Sequence, residues 1–248
     1  MKITIITVVF NNCKTINTAI ESVLNQTYND IEYIIIDGGS TDGTIEIIEK
    51  YRNKISFLVS EKDKGIYDAM NKGIMLATGD IIGILNSDDL YNNNSILEII
   101  NNEFEKDENL EILYGDLVYV DKNCISKIIR KWISCEYFDE FFEQGNVPPH
   151  PSLFLKRSVY NRVGLFNLKY KLAADYEFML RIFKNYSFNI RYINQVLVRM
   201  RLGGATNKNF KNIYLGNKEI LCAWKQNFLK PPILFIPKKI IKRLIQYI

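Results

Sequence analysis

"GILNSDDLY", residues 83–91, closes an apolar run with two adjacent carboxylates, Asp88 and Asp89. The run begins with Ile81 and is apolar at nearly every position, as expected of a strand covered on both faces. Two carboxylates side by side in a partly buried loop repel each other and persist only if something positive compensates them. A divalent ion does so, since Mg²⁺ or Mn²⁺ commonly takes one or two carboxylates together with substrate phosphates. The plainer alternative is an Asp N-cap with an exposed neighbour, because a helical pattern starts near Asn94.

The same kind of apolar run recurs upstream. "ITIITVVF" (3–10), "EYIIID" (32–37) and "ISFLVS" (55–60) predict strands, as does "IIGILN" (81–86). Helical spacing of Ile16, Ala19, Ile20, Val23 and Leu24 separates the first two, and a shorter helix is expected from Thr44 to Arg52. Ile66, Ala69, Met70, Gly73, Ile74 and Ala77 repeat likewise before the last. This alternation predicts an α/β fold: a Rossmann-like, mostly parallel central sheet flanked by helices. Ligands in such sheets sit beyond the carboxyl ends of the strands. Asn11-Asn12, Asp37 to Ser40, Glu61 to Gly65 and Ser87 to Asp89 should therefore converge on one edge.

The second half has a mixed pattern. Residues 110–132 read as strand, turn at Lys122-Asn123 and strand, followed by the aromatic, acidic "EYFDEFFEQ". "NVPPHPSLFLKRSVYNRVG" predicts a Pro-rich loop, a strand and a short helix capped by Ser158 and stopped by Gly164. "ADYEFMLRIFKNY" is a strong helix, with a strand from Asn189 to Leu202 and a helix from Asn209 to Phe228 after it. With no repeat or low-complexity linker, residues 1–228 read as one domain, in which 1–120 form a first half, 121–205 a second and 206–228 a helix. Residues 229–248 form a tail in which Lys238, Lys239, Lys242 and Arg243 oppose Ile240, Ile241, Leu244 and Ile245 at helical pitch. A basic amphipathic helix suits an anionic membrane surface; alternatively it packs its Ile face on the body and leaves its bases in water.

Composition narrows the classes. A chain of 248 residues, 47% hydrophobic, can bury a sizeable core, which excludes disorder. Cys13, Cys124, Cys135 and Cys222 are far apart and His150 is the single histidine, so neither a zinc site nor a disulfide framework is indicated, and a reducing cytosol fits. The first apolar run stops at Asn11-Asn12 without a cleavage signature, and no apolar stretch approaches the roughly 20 residues needed to span a bilayer. A net charge of +4, with no basic cluster on the core, argues against nucleic acid as a partner. "DGGSTDGT" (37–44) allows close backbone approach to a ligand, but there is neither a P-loop nor a G-x-G-x-x-G motif.

Seven segments in order resemble the inverting family-2 glycosyltransferases of GT-A fold that build bacterial polysaccharides and cell-surface glycans. They are "ITIITVVFNN", "IIIDGGSTDGT", "SEKDKGIYDAMNKGIMLATGD", "LNSDDLY", "HPSLFLKRSVYNRVGLFN", "AADYEFMLRIF" and "MRLGGAT", spanning residues 3 to about 205. The resemblance implies a nucleotide-sugar donor, a UDP-sugar first, held by the Val8 to Asn11 loop, including Val9 and Asn11, with Asp37 and Asp63. Asn71 and Lys72 match positions near the same pocket, and Arg201 matches a diphosphate contact. Asp88 and Asp89 match the D-x-D-like site for Mn²⁺ or Mg²⁺, although Asn86 stands where many relatives carry the first Asp. Asp175 matches the catalytic base, with Ala174 in place of a second acid; its alternative is a first-turn acid favoured by the helix dipole. His150 falls on the acceptor side, as a functional group or a structural hydrogen-bonding residue.

The expected activity is transfer of the sugar, with inversion, to a hydroxyl of a glycan or lipid-linked acceptor at the cytoplasmic face of the membrane. A non-catalytic sugar-nucleotide-binding subunit and a nucleotidyltransferase are the competing readings. Retention of Asp88, Asp89 and Asp175 argues against the first, and the lack of a basic, Gly-rich loop near the N-terminus against the second.

Overall fold

A computed structural model describes residues 1–203 and 210–246, and only the backbone of Phe210, Arg243 and Leu244. The Gly204 to Thr206 part of "MRLGGAT", the start of the Asn209 helix and the side chains of Arg243 and Leu244 thus lie outside the described residues. In chain order the elements are β1 (Ile3–Val9), α1 (Ile16–Leu24), β2 (Ile31–Asp37), α2 (Thr44–Glu49), β3 (Phe57–Ser60), α3 (Ile66–Leu76) and β4 (Ile81–Ile84). There follow β5 (Asp89–Tyr91), α4 (Ile96–Lys106), β6 (Ile112–Val120), β7 (Ile128–Trp132), β8 (Leu153–Lys156) and α5 (Arg157–Val163). The chain continues through α6 (Ala174–Lys184), β9 (Ile190–Arg201), α7 (Phe210–Gln226) and α8 (Phe235–Ile245).

One sheet carries all the described strands, in the order β3-β2-β1-β4-β8-β6-β9-β5, with β7 paired to β6. Strands β3, β2, β1 and β4 are parallel, as the βα alternation requires, whereas β8 runs antiparallel between β4 and β6. Strand β9 is parallel to β6, with β5 antiparallel to it at the far edge. Both faces are covered. Ile6, Val8, Ile34 and Ile36 enter the core shared with α3, α6 and α7, while Ile3, Ile5, Tyr33 and Ile35 enter the core shared with α1 and α4. Strict alternation of side chains along a strand makes one apolar run serve two cores.

The structure departs from the sequence reading at element ends. Strand β3 starts at Phe57 rather than Ile55, and α2 stops at Glu49, with a separate 3-10 turn over Arg52–Lys54 completing the expected helix. Helix α5 begins at Arg157, so Lys156 and not Ser158 occupies its N-cap. Gly164 ends that helix at φ 81°, in the region that favours glycine. Strand β5 has no counterpart in the sequence reading, because a three-residue strand made by pairing with β9 carries no local pattern.

The tail is a helix, but its faces are opposite to those of an ordinary terminal helix. Phe235 is buried against Trp224 and Tyr176, Lys242 donates to Asn146 Oδ1, and the Lys239 ammonium lies 5.9 Å from the Tyr176 ring centroid. Gly145, at φ 79°, lets this approach happen: a Cβ there would sit 3.0 Å from the Lys239 backbone nitrogen. Lys239 and Lys242 of the basic face thus meet the body while Lys238 stays exposed, and Ile240, Ile241 and Ile245 point outward with exposures of 50%, 56% and 72%. Among the described residues no helix is long and apolar enough to cross a membrane.

Glu32 is a buried charge of the parallel half. It accepts hydrogen bonds from Lys2 Nζ (2.9 Å), Thr4 Oγ1 (2.7 Å), Thr78 N (2.7 Å) and Thr78 Oγ1 (2.6 Å), joining β2 to β1 and to the segment before β4. Burial pushes its carboxyl up, but the bonds from Thr78, Thr4 and Lys2 outweigh that and hold it at about 2. A depressed carboxyl stabilises the fold above its unfolded value and loses that contribution as pH falls toward its folded one. Glu32→Gln should therefore cost about 1–3 kcal/mol at neutral pH. It should also flatten the loss of stability between pH 4.5 and about 2, as read by urea unfolding across that range.

Candidate active site

The loops after β1, β2, β3 and β4 meet at one edge, as their sequence positions require. Asn11 N donates to Ser40 Oγ (2.7 Å), and its Oδ1 accepts from Thr41 N (2.9 Å). Asn12 donates to Thr44 Oγ1 and Ser87 Oγ, both at 2.9 Å, and Glu61 N donates to Asp37 O at 3.0 Å. Val9 O accepts from Gly38 N at 2.9 Å. Gly38 is closely packed, since a Cβ would stand 3.0 Å from Asp63 Oδ2 and 3.4 Å from the Phe10 ring. Asn11 takes φ 48°, a conformation asparagine tolerates, and Phe10 is left 64% exposed at the rim.

Several candidate donor residues organise the edge. Asp37 is fully buried; Gly39 N and Ser40 N (both 3.0 Å), Ser40 Oγ (2.5 Å) and Ser60 Oγ (2.7 Å) all donate to it. Lys72 sits among three carboxylates, in contact with Asp63, 2.7 Å from Glu61 and 3.7 Å from Asp68. Those hydrogen bonds from Lys72 to Asp63 and Glu61 push its ammonium above the ordinary lysine range. Asn71 spends both ends of its amide on Phe166, with 2.9 Å bonds to its carbonyl and from its N–H. It fastens α3 to the loop after α5.

Asp88 and Asp89 start at the end of this edge and run into β5. Asp89 is fully buried, with Oδ2 accepting from Asn86 Nδ2 at 3.0 Å while Oδ1 has no partner. Asn86 Oδ1 is likewise buried and unpartnered. Burial, then the charge of Asp88, pushes the Asp89 carboxyl well up, and burial also raises Asp88. Arg201 compensates part of this charge, donating to Asp88 O (2.7 Å) and Thr18 Oγ1 (2.9 Å). Its own guanidinium is pulled down by burial and held up by both aspartates. The unpartnered oxygens of Asp89 and Asn86, with the Asp88 carboxylate next in sequence, form a donor set suited to a hard divalent cation. Among the described residues no cluster of three or more His, Cys, Asp or Glu surrounds the position, so phosphate oxygens would have to complete a coordination shell.

The second half of the chain adds Asp175, in the first turn of α6. Its Oδ1 accepts from Tyr67 Oη (2.9 Å) and Tyr176 N (2.8 Å). The turn before α6 is gathered by Glu219 of α7, which accepts from the N–H groups of Lys171, Leu172 and Ala173, the shortest at 2.8 Å. His150 packs edge-on against Phe166, with ring centroids 5.6 Å apart. Burial lowers its pKa and the Asp175 charge pulls it back up, leaving the ring neutral near pH 7. Phe10, Tyr67 and Glu219 escaped the sequence reading. Phe10 follows the β1 run and Tyr67 lies in "GIYDAMNKG", both beside residues already singled out, whereas Glu219 carries no local signal.

A parallel βα half thus ends in Asp88 and Asp89, and the second half brings Asp175 in the first turn of α6. The chain belongs to Glycosyl transferase family 2, whose profile matches residues 4–158. It is 29% identical over 192 residues to a PGL/p-HBAD biosynthesis glycosyltransferase of Mycobacterium bovis, covering 76% of this chain and 72% of that one. It is 34% identical over 200 residues to Escherichia coli chondroitin synthase, covering 79% of this chain but only 28% of the synthase. The fold matches residues 1–349 of S. aureus TarS in complex with UDP-GlcNAc, with a TM-score of 0.67 at 19% identity over 89% of this chain and 67% of that one. It also matches the mannosyltransferase PcManGT of Pyrobaculum calidifontis in complex with GDP-Man and Mn²⁺, with a TM-score of 0.59 at 17% identity over 97% and 73%. The chain spans 40% of the chain in another S. aureus TarS structure.

The raised carboxyls fix the sign of a stability effect. A carboxyl pushed up in the folded state costs stability as pH rises through its folded value, so Asp89→Asn should stabilise the metal-free protein by about 1–2 kcal/mol at neutral pH. The gain should shrink as pH falls and both states become protonated. Thermal unfolding with and without Mn²⁺ checks this: any Mn²⁺-dependent rise seen for the wild type should be absent from the variant.

Proposed function

We propose that this protein transfers a sugar from a nucleoside diphosphate donor, a UDP-sugar first, to a hydroxyl of a glycan or lipid-linked acceptor, inverting the anomeric centre. The observation that carries the reading is the unpartnered Asp89 oxygen at the carboxyl edge, in a chain of this family that also keeps Asp175 at the start of α6. The bound UDP-GlcNAc and GDP-Man of the two structural relatives support a nucleotide-sugar donor at this edge. In this reading the exposed Phe10 ring offers an apolar face to the base, and the hydrogen bonds that Gly39 N and Ser40 N donate to Asp37 hold the neighbouring loop in place. Asp89, with Asp88, would hold Mn²⁺ or Mg²⁺, which when bound offsets the charge of the diphosphate. Asp175 takes the proton of the acceptor hydroxyl as its oxygen bonds to the anomeric carbon and the bond to the diphosphate oxygen breaks. A single base and a direct displacement account for inversion.

The outward aliphatic face of α8 supports a site of action at a membrane. Ile240, Ile241 and Ile245 lie beside the exposed Lys238, and Lys230 is exposed just before the helix. That pairing complements an anionic lipid surface, with the isoleucines entering the headgroup boundary and the lysines meeting phosphate.

Two measurements test these statements. Release of nucleoside diphosphate from UDP-, GDP- and dTDP-sugars with Mn²⁺ should select one donor and fall at least a hundredfold in Asp175→Asn. Binding of a donor without turnover by any acceptor extract would instead favour a sugar-nucleotide-binding subunit. Vesicles containing phosphatidylglycerol should sediment the wild type but neither the Ile241→Asp/Ile245→Asp variant nor, with neutral vesicles, the wild type. Equal sedimentation of the variant would overturn the docking.

A further inference from the structure

Tyr67 is the second residue of α3, and its ring is fixed by packing. It lies 5.7 Å from the Phe166 ring, which also meets His150 at 5.6 Å and Phe178 at 4.8 Å, and Asn71 locks the Phe166 backbone through two hydrogen bonds. The phenol that emerges from this cluster is aimed at one oxygen, Asp175 Oδ1, at 2.9 Å. The Tyr176 N–H reaches the same oxygen at 2.8 Å, while Oδ2 has no hydrogen bond among the described residues. A carboxylate held by two donors on one oxygen cannot rotate freely, so its other oxygen keeps a set direction.

We propose that Tyr67 is a positioning residue for Asp175, anchoring Oδ1 so that Oδ2 is presented to the acceptor hydroxyl, and that Phe166 and Asn71 hold Tyr67 in place. The inference rests on the reading of Asp175 as the base. Burial, and then the Asp175 charge, pushes the Tyr67 phenol well above its ordinary range, so it stays a donor across the working pH range. Glu219 adds to this from α7 while capping the turn before α6. His150 packs on the same Phe166 ring as Tyr67, and the Asp175 charge raises its pKa against the larger lowering by burial. A tyrosine that only filled space would be replaced by phenylalanine without consequence.

His150 is the single histidine, so its ring signal in a ¹H–¹³C spectrum is assigned without ambiguity and reports the Asp175 charge whether or not a substrate is known. Its titration should be followed in the wild type, Asp175→Asn and Tyr67→Phe, with thermal unfolding to confirm that each variant folds. Asp175→Asn should lower the His150 midpoint, because the charge that raises it is gone. Tyr67→Phe should raise the midpoint by about half a unit, because the carboxylate loses the phenol dipole that screens it. In diphosphate release from the selected donor, Tyr67→Phe should lower kcat about tenfold at unchanged KM and move the acidic limb of the rate profile to higher pH. An unmoved His150 midpoint in folded Tyr67→Phe overturns the positioning role. Wild-type turnover by Asp175→Asn overturns the reading of Asp175 as base instead, and the histidine titration tells the two failures apart.

Discussion

The parallel register of β1, β2 and β3 is the constraint on which the rest of the structure depends. Val9 stands opposite Asp37 and Asp37 opposite Ser60, so three strands end level and their loops leave from one line. Level ends let short polar side chains stitch neighbouring loops, as Asn11 does to Ser40 and Asn12 to Ser87. The same alignment leaves Gly38 closely packed between Phe10 and Asp63. A shift of one residue in any strand would turn its apolar side chains to the wrong core and carry its loop away from the edge.

Charge at this edge is handled in two ways. Asp37, Asp63 and Lys72 are satisfied within the protein, which makes them a rigid frame. Asp88 and Asp89 are only partly compensated, by Arg201 and the Asn86 amide, and two buried oxygens remain without partners. Incomplete satisfaction of buried polar groups costs stability, and it concentrates where a ligand is to complete the set. Asn86 also has a clear local use. An acid there would add a third negative charge to the pair, whereas the amide donates to Asp89.

The parallel half was legible because its signals are local. Apolar runs of strand length, helical spacing between them and Gly- or Asp-rich ends give both the layers and the line of loops. Asp175 of α6 could be singled out by resemblance, but not its surroundings. Tyr67 meets Asp175 across 108 residues of chain, and Glu219 caps α6 across 46 or more, separations at which no spacing rule operates. Strand β5 exists only because β9 returns beside it.

The tail separates the two kinds of information most clearly. Helical pitch and the placing of Lys and Ile determine by themselves that α8 has a basic face and an aliphatic face, because side-chain direction follows from local geometry. Which face meets the protein is decided by Phe235 seated against Trp224, the close approach at Gly145 and the Asn146 contact to Lys242, all made with distant parts of the chain. The same division holds for the site. Residue type and order supplied the carboxylates; their burial, their unpaired oxygens and the donors that orient them arise only when strands and helices far apart in sequence are packed together.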